Sequence, residues 1–164
     1  MSVSFRYAEL KDLERIIGTY NASIPGRMAT ADLTPVTVED KLTWFHAHDH
    51  LNRPLFVVEF NGEYAGWMSF KSFYGRPAYN GTVELGVYLE SSFQGKGIAK
   101  VCLGKAIELA PSLKIQTLLA FIFAHNIPSL KLFRSFGFDQ YGHLPAVANM
   151  DGLLRDLIIL GKKV

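Results

Sequence analysis

A glycine-rich segment that follows an apolar strand pattern has the residue types best suited to binding an anion. The alternating side chains of residues 82–89 are typical of a β-strand, and Gln94, Gly95, Lys96 and Gly97 follow shortly after it. The glycines lack Cβ atoms, and a helix that begins there directs free N–H groups outward at the positive end of its dipole. The pattern predicts a phosphate site, although a plain strand-to-helix turn is the alternative.

Glu84 lies inside the same strand pattern, where acidic side chains are uncommon. A carboxylate at such a position either faces solvent at the edge of a sheet or accepts a proton during catalysis. Spacing alone favours the solvated carboxylate, so a catalytic role for Glu84 needs a second argument.

Two motifs resemble those of the GNAT superfamily of N-acetyltransferases. Residues 94–99 read Gln-Gly-Lys-Gly-Ile-Ala, similar to the family's Gln/Arg-x-x-Gly-x-Gly/Ala signature. Residues 126–138 contain Asn-x-x-Ser and then a helical pattern that ends in Gly-Phe, as the family's second motif does. The two motifs occur in the family's order and at about its spacing.

The resemblance implies acetyl-CoA as co-substrate and Glu84 as the general base, with a carboxylate pKa raised by partial burial. Loop amides would hold the pyrophosphate, and the backbone of the fourth strand would pair with the pantetheine arm as an added strand would. An N–H of that strand would polarise the thioester carbonyl. The residues implied to bind the cofactor are Val87, Tyr88, Leu89, Gln94, Gly95, Lys96, Gly97, Ile98, Ala99, Lys100, Asn126 and Ser129.

Three further segments, residues 76–79, 82–84 and 142–145, resemble the phosphinothricin N-acetyltransferase branch of the family. Members of this branch acetylate the α-amino group of phosphinothricin, methionine sulfoximine or methionine sulfone. The resemblance makes Lys71, Arg76 and Tyr79 candidates for substrate binding, since cationic groups suit carboxylate and phosphinate oxygens. Ordinary loop charge is the alternative for Lys71 and Arg76.

The sequence departs from the family pattern at three positions. Many members have a tyrosine that protonates the leaving thiolate, whereas this chain has Phe133, so water must donate or the thiolate must leave unassisted. The branch usually has basic residues before its last strand, where this chain has Met150 and Leu153. Two other functions therefore stay open: acetylation of a polyamine or protein amine, and a non-catalytic acyl-CoA-binding module.

The composition is that of an ordinary globular protein. The 164 residues are 49% apolar and 20% charged, which fits one domain over residues 1–164, and the net charge of +2 gives no reason to expect nucleic acid or membrane as a partner. Cys102 is alone, so no internal disulfide is possible and a reducing compartment is expected. With no signal-peptide or membrane-spanning pattern, we expect a cytoplasmic protein that acts on a small amine.

The elements that must position these residues follow the order βααβββαβαββ, which predicts an α/β fold with a mixed sheet. The resemblance adds a twisted GNAT sheet whose fourth and fifth strands splay apart, flanked by helices. The loop of residues 23–35 has no periodicity and is long enough to be functional. We predict strands at 2–7, 55–60, 63–73, 82–89, 114–124, 138–144 and 152–160, and helices at 10–20, from Thr37, from Gly97 to Pro111 and at 127–136.

The histidines near residue 48 and the single cysteine have simple structural interpretations. His46, His48 and His50 lie near a predicted helix end, where the dipole favours histidine, and their spacing does not predict a metal site. Cys102 falls among apolar helix positions and is interpreted as a core residue. Apolar residues around Trp44, Trp67 and Phe73 predict a surface for self-association as a homodimer.

Overall fold

A computed structural model describes residues 2–164 and shows a seven-stranded sheet with helices on both faces. Its strand order is β1-β2-β3-β4-β5-β7-β6. The strands are β1 (Val3–Tyr7), β2 (Leu55–Phe60), β3 (Glu63–Ser72), β4 (Thr82–Leu89), β5 (Thr117–Phe123), β6 (Asp139–Met150) and β7 (Leu153–Lys163). The helices are α1 (Leu13–Ser23), α2 (Val38–His46), α3 (Ile98–Leu109) and α4 (Ile127–Ser135), with short 3₁₀ turns between some elements.

Neighbouring strands run antiparallel except for β4 and β5, which are parallel and joined through α3. A parallel pair needs such a crossover, because a tight turn cannot return the chain in the same direction. The predicted α/β class with a mixed sheet is therefore confirmed, and the predicted order of elements agrees with the observed one.

Two apolar clusters lie on opposite faces of the sheet. The larger cluster packs α3 and α4 against one face and contains Cys102, which is fully buried and whose thiol pKa burial raises to about 12. The interpretation of Cys102 as a core residue is therefore confirmed. The smaller cluster packs Ile16 of α1 and Trp44 of α2 against Trp67 of β3 on the other face.

Local sequence signals set several boundaries correctly. Thr37 caps α2 by accepting a hydrogen bond from Asp40 N at 3.1 Å, and Asp40 accepts one from Thr37 N at 2.9 Å. Asn61 and Gly62, both at positive φ, form the predicted hairpin turn between β2 and β3.

Three strand boundaries differ from the predictions by three residues or more. β7 runs to Lys163 instead of residue 160, because it stays paired with β5 as far as Thr117. β5 begins at Thr117 instead of residue 114, because Lys114 adopts a φ of 59° and closes a turn after α3. β6 continues to Met150 instead of ending at Leu144. It passes Pro145 at the sheet edge, where the register shifts between Leu144 and Ala148, and an edge strand tolerates proline at such a bulge.

Of the three aromatic residues proposed for self-association, Trp44 and Trp67 do not form a surface. Trp67 is only 4% exposed, and Trp44 packs edge-on against it at 5.3 Å between ring centroids. Periodicity could not reveal this, because both rings fill the second cluster between the sheet and α2. One group of exposed apolar side chains lies on the β6–β7 hairpin and includes Tyr141, Leu144, Val147, Leu153 and Leu154, and Tyr74 and Tyr79 are exposed beside Phe73.

Candidate functional site

The centre of the candidate site is the point at which β4 and β5 separate, called the fork below. Their parallel pairing ends at Glu84 and Leu119, although β4 runs on to Leu89 and β5 to Phe123. Strands that diverge in this way cannot fill the space between them, and a cavity of about 650 Å³ lies there. The splayed fourth and fifth strands expected from the family resemblance are thus present.

The face of β3 and β4 that looks into the cavity has a regular set of cross-strand pairs. Glu84 lies opposite Lys71, Gly86 opposite Ser69, and Tyr88 opposite Trp67. Side chains two residues apart on a strand share a face, so these pairs form the floor of the cavity in three successive rows. The aromatic row is tightly packed, with the Trp67 and Tyr88 rings stacked at 4.7 Å.

Glu84 is partly buried in this floor and lines the cavity. Burial raises its carboxyl pKa above the ordinary value, because desolvation disfavours the charged form, while the positive charge of Lys71 acts in the opposite direction. A carboxylate with a raised pKa, open to a cavity, is suited to accept a proton from a bound substrate.

The roof of the cavity includes part of the long loop between α1 and α2, here called the strap, residues 27–32. Three consecutive strap carbonyls accept hydrogen bonds from side chains at the fork. His125 Nε2 donates to Arg27 O at 2.8 Å, Asn126 Nδ2 to Met28 O at 3.2 Å, and Tyr88 Oη to Ala29 O at 3.0 Å. The strap therefore bridges β4 and the end of β5 across the gap between them.

The strap is also held by its own side chains. Arg27 pairs with Asp151 in the β6–β7 turn, with Nε and Oδ2 2.8 Å apart. The Tyr20 hydroxyl bonds to Asp32 and Thr30, and burial together with Asp32 raises the pKa of Tyr20 to about 12. Burial likewise raises the pKa of Tyr88. Both tyrosines therefore stay neutral at physiological pH and act as hydrogen-bond donors.

The backbone of β4 beyond the fork has groups that face the gap. Phe73 N donates to Thr82 O, and Glu90 N donates to Ala65 O, so even-numbered residues of β4 direct their backbone groups toward β3. The alternating residues Leu85, Val87 and Leu89 consequently direct theirs toward β5. Within residues 2–164, no strand pairs with β4 on that side after Glu84. Val87 and the N–H of Leu89 thus offer an open strand edge, since the Leu89 carbonyl already accepts a hydrogen bond from Gln94. Tyr88 reaches the cavity through its side chain.

The predicted phosphate loop follows β4 and opens α3. Gly95 has a φ of +74°, and Gly97, the N-cap of α3, has a φ of +80°. A Cβ at either position would have no atom of the protein within 4 Å, so the conformation rather than local crowding requires glycine. No side chain of the described residues caps α3, and Lys96 and Lys100 are exposed beside its first turn. This loop borders solvent and does not line the cavity. Gln94 connects it to the end of β4, since Nε2 donates to Leu89 O at 3.2 Å.

The second motif lies at the other end of the cavity. Asn126 is the N-cap of α4 and accepts a hydrogen bond from Ser129 N at 3.4 Å, so its amide is engaged by the helix and the strap. Ser129 lines the cavity. Phe133, on the next turn of α4, is buried, lines the cavity and packs edge-on against Phe138 at 5.0 Å. It cannot supply a proton.

The residues predicted to bind substrate are divided by the structure. Lys71 lines the cavity, but Arg76 and Tyr79 do not. Both lie in an exposed connection where residues 77–79 form a 3₁₀ turn, and Tyr79 packs against Phe73 at 5.4 Å. Neither residue therefore lines the cavity of this chain, and their role in substrate binding stays a prediction.

Several residues that line the cavity were missed by sequence reasoning. Tyr20, Asp32, Lys41 and Ser69 contribute to its walls, and His125 holds the strap. Only Asp32 had a signal, since it lies in the long loop expected to be functional. The others fall within regular helix or strand patterns, or beside a known motif, and periodicity gives them no distinction.

The histidines near the end of α2 have separate environments. His48 Nδ1 lies 2.8 Å from Trp44 O, and His50 stacks on Tyr7 at 3.8 Å. Across residues 2–164, no group of three histidine, cysteine, aspartate or glutamate side chains has an arrangement able to hold a metal ion.

No helix in the same range has the length and apolar character required to cross a bilayer.

Comparison with known proteins supports the assignment suggested by the motifs. YwnH of Bacillus subtilis, provisionally named a phosphinothricin acetyltransferase, is 48% identical over 163 residues, which are 99% of each chain. An L-methionine sulfoximine/L-methionine sulfone acetyltransferase of Pseudomonas paraeruginosa is 31% identical, covering 98% of this chain and 94% of that protein.

A solved structure extends the likeness to the fold. The GNAT superfamily phosphinothricin acetyltransferase from Sinorhizobium meliloti, in complex with acetyl-CoA, superposes with a TM-score of 0.92 at 26% identity. The match covers all of this chain and 89% of that one. A family model described as "Acetyltransferase (GNAT) family" matches residues 9–138. The chain therefore belongs to the GNAT family of acetyltransferases, as its two motifs predicted.

Proposed function

We propose that this chain transfers the acetyl group of acetyl-CoA to the amine of a small amino-acid analogue. Phosphinothricin, methionine sulfoximine and methionine sulfone are the first candidates, because the relatives described above are named as acetyltransferases of these compounds. The observation that supports the proposal most strongly is the position of Glu84. It lies in the last paired row of the fork, beside a cavity that continues along the open edge of β4.

Each end of β4 has a separate role in this proposal. The loop after β4, with the uncapped start of α3 and the exposed Lys96 and Lys100, would hold the cofactor's diphosphate. Glu84 and Leu89 are five residue steps apart along the strand, about 17 Å, which is a span suited to an extended pantetheine arm. Val87 and Leu89 would bind that arm through their backbone, which places its thioester near Glu84.

Glu84 would act as the general base. An alkyl ammonium must lose a proton before its nitrogen can attack the thioester carbon directly, and a carboxylate of raised pKa is matched to this transfer. With Phe133 in place of a hydroxyl donor, the proposal assigns no general acid, and the thiolate leaves without protein assistance.

Lys71 and Lys41, which line the cavity, would bind the acidic group of the acceptor. These two lysines would take the role predicted for Arg76.

The exposed apolar side chains of the β6–β7 hairpin are the surface we propose for a homodimer, replacing the aromatic residues of the second cluster. A cytoplasmic location stays a prediction, supported by the single buried thiol of Cys102.

The experiment is a thiol-release assay with acetyl-CoA and a panel of amines. The panel contains phosphinothricin, methionine sulfoximine, methionine sulfone, a polyamine and a lysine-containing peptide. We expect release with the amino-acid analogues, and loss of most of this rate in Glu84→Gln while acetyl-CoA still raises Tm. Acetyl-CoA binding without release from any amine would show a binding module instead, and a fully active Glu84→Gln protein would disprove the assignment of the base.

A further inference from the structure

Ser69 is a largely buried residue that lines the cavity, and its hydroxyl oxygen reaches the cavity surface. The residue is only 5% exposed, and within residues 2–164 its Oγ is free of hydrogen bonds and is not among the fully buried polar atoms that lack a partner, so this oxygen is open to the cavity. A serine that borders a ligand cavity and has no hydrogen-bond partner is therefore available to bind what enters the cavity.

The neighbours of Ser69 leave room for a ligand at its hydroxyl. Gly86 lies directly opposite on β4, and a Cβ at that position would lie 3.0 Å from Ser69 Oγ. Because glycine has no side chain, a notch remains in the floor between Glu84 and Tyr88. The stacked rings of Trp67 and Tyr88 form one side of this notch, and the Glu84 carboxylate forms the other.

The spacing of the sheet places one small polar group within reach of both Ser69 and Glu84. Ser69 is the diagonal neighbour of Glu84, and such neighbours are roughly 7–8 Å apart. The two side chains extend over part of this distance, so a single nitrogen between them can form a hydrogen bond with each.

We propose that Ser69 binds the acceptor amine, with its Oγ accepting one hydrogen bond from the nitrogen that Glu84 deprotonates. This inference rests on the proposed acetyl transfer. The ammonium first gives one proton to Glu84. A C–N bond then forms at the acetyl carbon while the C–S bond breaks, the thiolate keeps that electron pair, and the second proton released by the nitrogen goes to the thiolate. Ser69 directs the nitrogen lone pair and exchanges no proton.

The test compares Ser69→Ala and Gly86→Ala with the unchanged protein, using methionine sulfoximine as the acceptor. Ser69→Ala removes one hydrogen bond to a charged group, so kcat/KM for the amine should fall roughly 10- to 100-fold, with a raised KM for the amine. Gly86→Ala fills the notch and should cause a similar loss although the hydroxyl remains. Ser4→Ala, an exposed serine on β1, is the matched control and should change neither value.

Two further readouts separate ligand binding from a structural role. Tm without ligand and the acetyl-CoA affinity should stay the same in Ser69→Ala. The inference is overturned if kcat/KM for the amine stays within twofold, if acetyl-CoA affinity falls in parallel, or if kcat falls while KM for the amine does not change. If the unchanged protein acetylates no amine, the proposed function itself fails, which is a distinct result.

Discussion

Replacing Gly97 by alanine tests the phosphate cradle, because structural cost and ligand cost can be separated there. Gly97 has a φ of +80°, and a Cβ at this position would meet no protein atom within 4 Å. The free protein therefore loses only the conformational term, about 1–2 kcal/mol for a residue with a side chain in the left-handed region. For a domain of this size, that corresponds to a fall in Tm of about 2–8 °C.

The cost to cofactor binding should be similar in size and can be measured separately. Acetyl-CoA at 100 times its Kd stabilises a protein by about 2.7 kcal/mol. The new methyl group would point into the space in which the diphosphate must approach the amides of α3. Losing one charge-assisted hydrogen bond weakens binding by about tenfold, which reduces the stabilisation at the same concentration to about 1.4 kcal/mol.

The assay is thermal unfolding with and without acetyl-CoA, and Gly104→Ala is the control. Gly104 lies inside α3, where a Cβ would be 3.9 Å from Phe136, so alanine there should be neutral or stabilise by up to about 1 kcal/mol. Gly104→Ala should keep the full acetyl-CoA shift, and Gly97→Ala should keep half of it or less. An equal shift in both variants would refute a diphosphate site at the start of α3.

Three other changes give expected outcomes. Burial raises the pKa of Glu84, so this group stabilises the fold below its unfolded pKa, near 4.5, and the contribution is lost as pH rises through the folded pKa. In urea titrations, Glu84→Gln should therefore gain stability relative to the unchanged protein as pH rises. Gly66→Ala should lower the unfolding free energy by about 3 kcal/mol or more, because its Cβ would lie 2.0 Å from Tyr88 O; Gly18→Ala, with open space, is the calorimetric control. Tyr88→Phe loses the bond to Ala29 O, so steady-state kinetics should show a raised KM for the acceptor with unchanged acetyl-CoA affinity.

Features set by short stretches of sequence could be predicted well. The capping residues of α2, the hairpin turn at Asn61 and Gly62 and the glycine opening of α3 each depend on a few neighbouring residues. The alternation of β4 also identified which backbone belongs to the strand that ends at the phosphate loop. For these features, local stereochemistry and tertiary structure favour the same conformation.

Features created by distant residues could not be predicted. His125 and Tyr88 meet the strap about 98 and 59 positions away along the chain, and nothing in either local pattern indicates a carbonyl partner. The role proposed for Ser69 could not be predicted for the same reason, because it depends on Gly86, which lies opposite Ser69 on β4. For Arg76, charge and spacing suggested a substrate-binding role but could not show that the residue, beside the turn at residues 77–79, does not line this cavity.

A crystal structure of the protein with acetyl-CoA tests the central claim most directly. We predict the diphosphate within hydrogen-bond distance of the backbone amides of Gly95 and Gly97 and of the first turn of α3. The pantetheine arm should lie along Val87 and Leu89, and the thioester should lie in the cavity beside Glu84. A cofactor bound elsewhere, or a fork closed so that β4 and β5 pair beyond Glu84, would contradict the account.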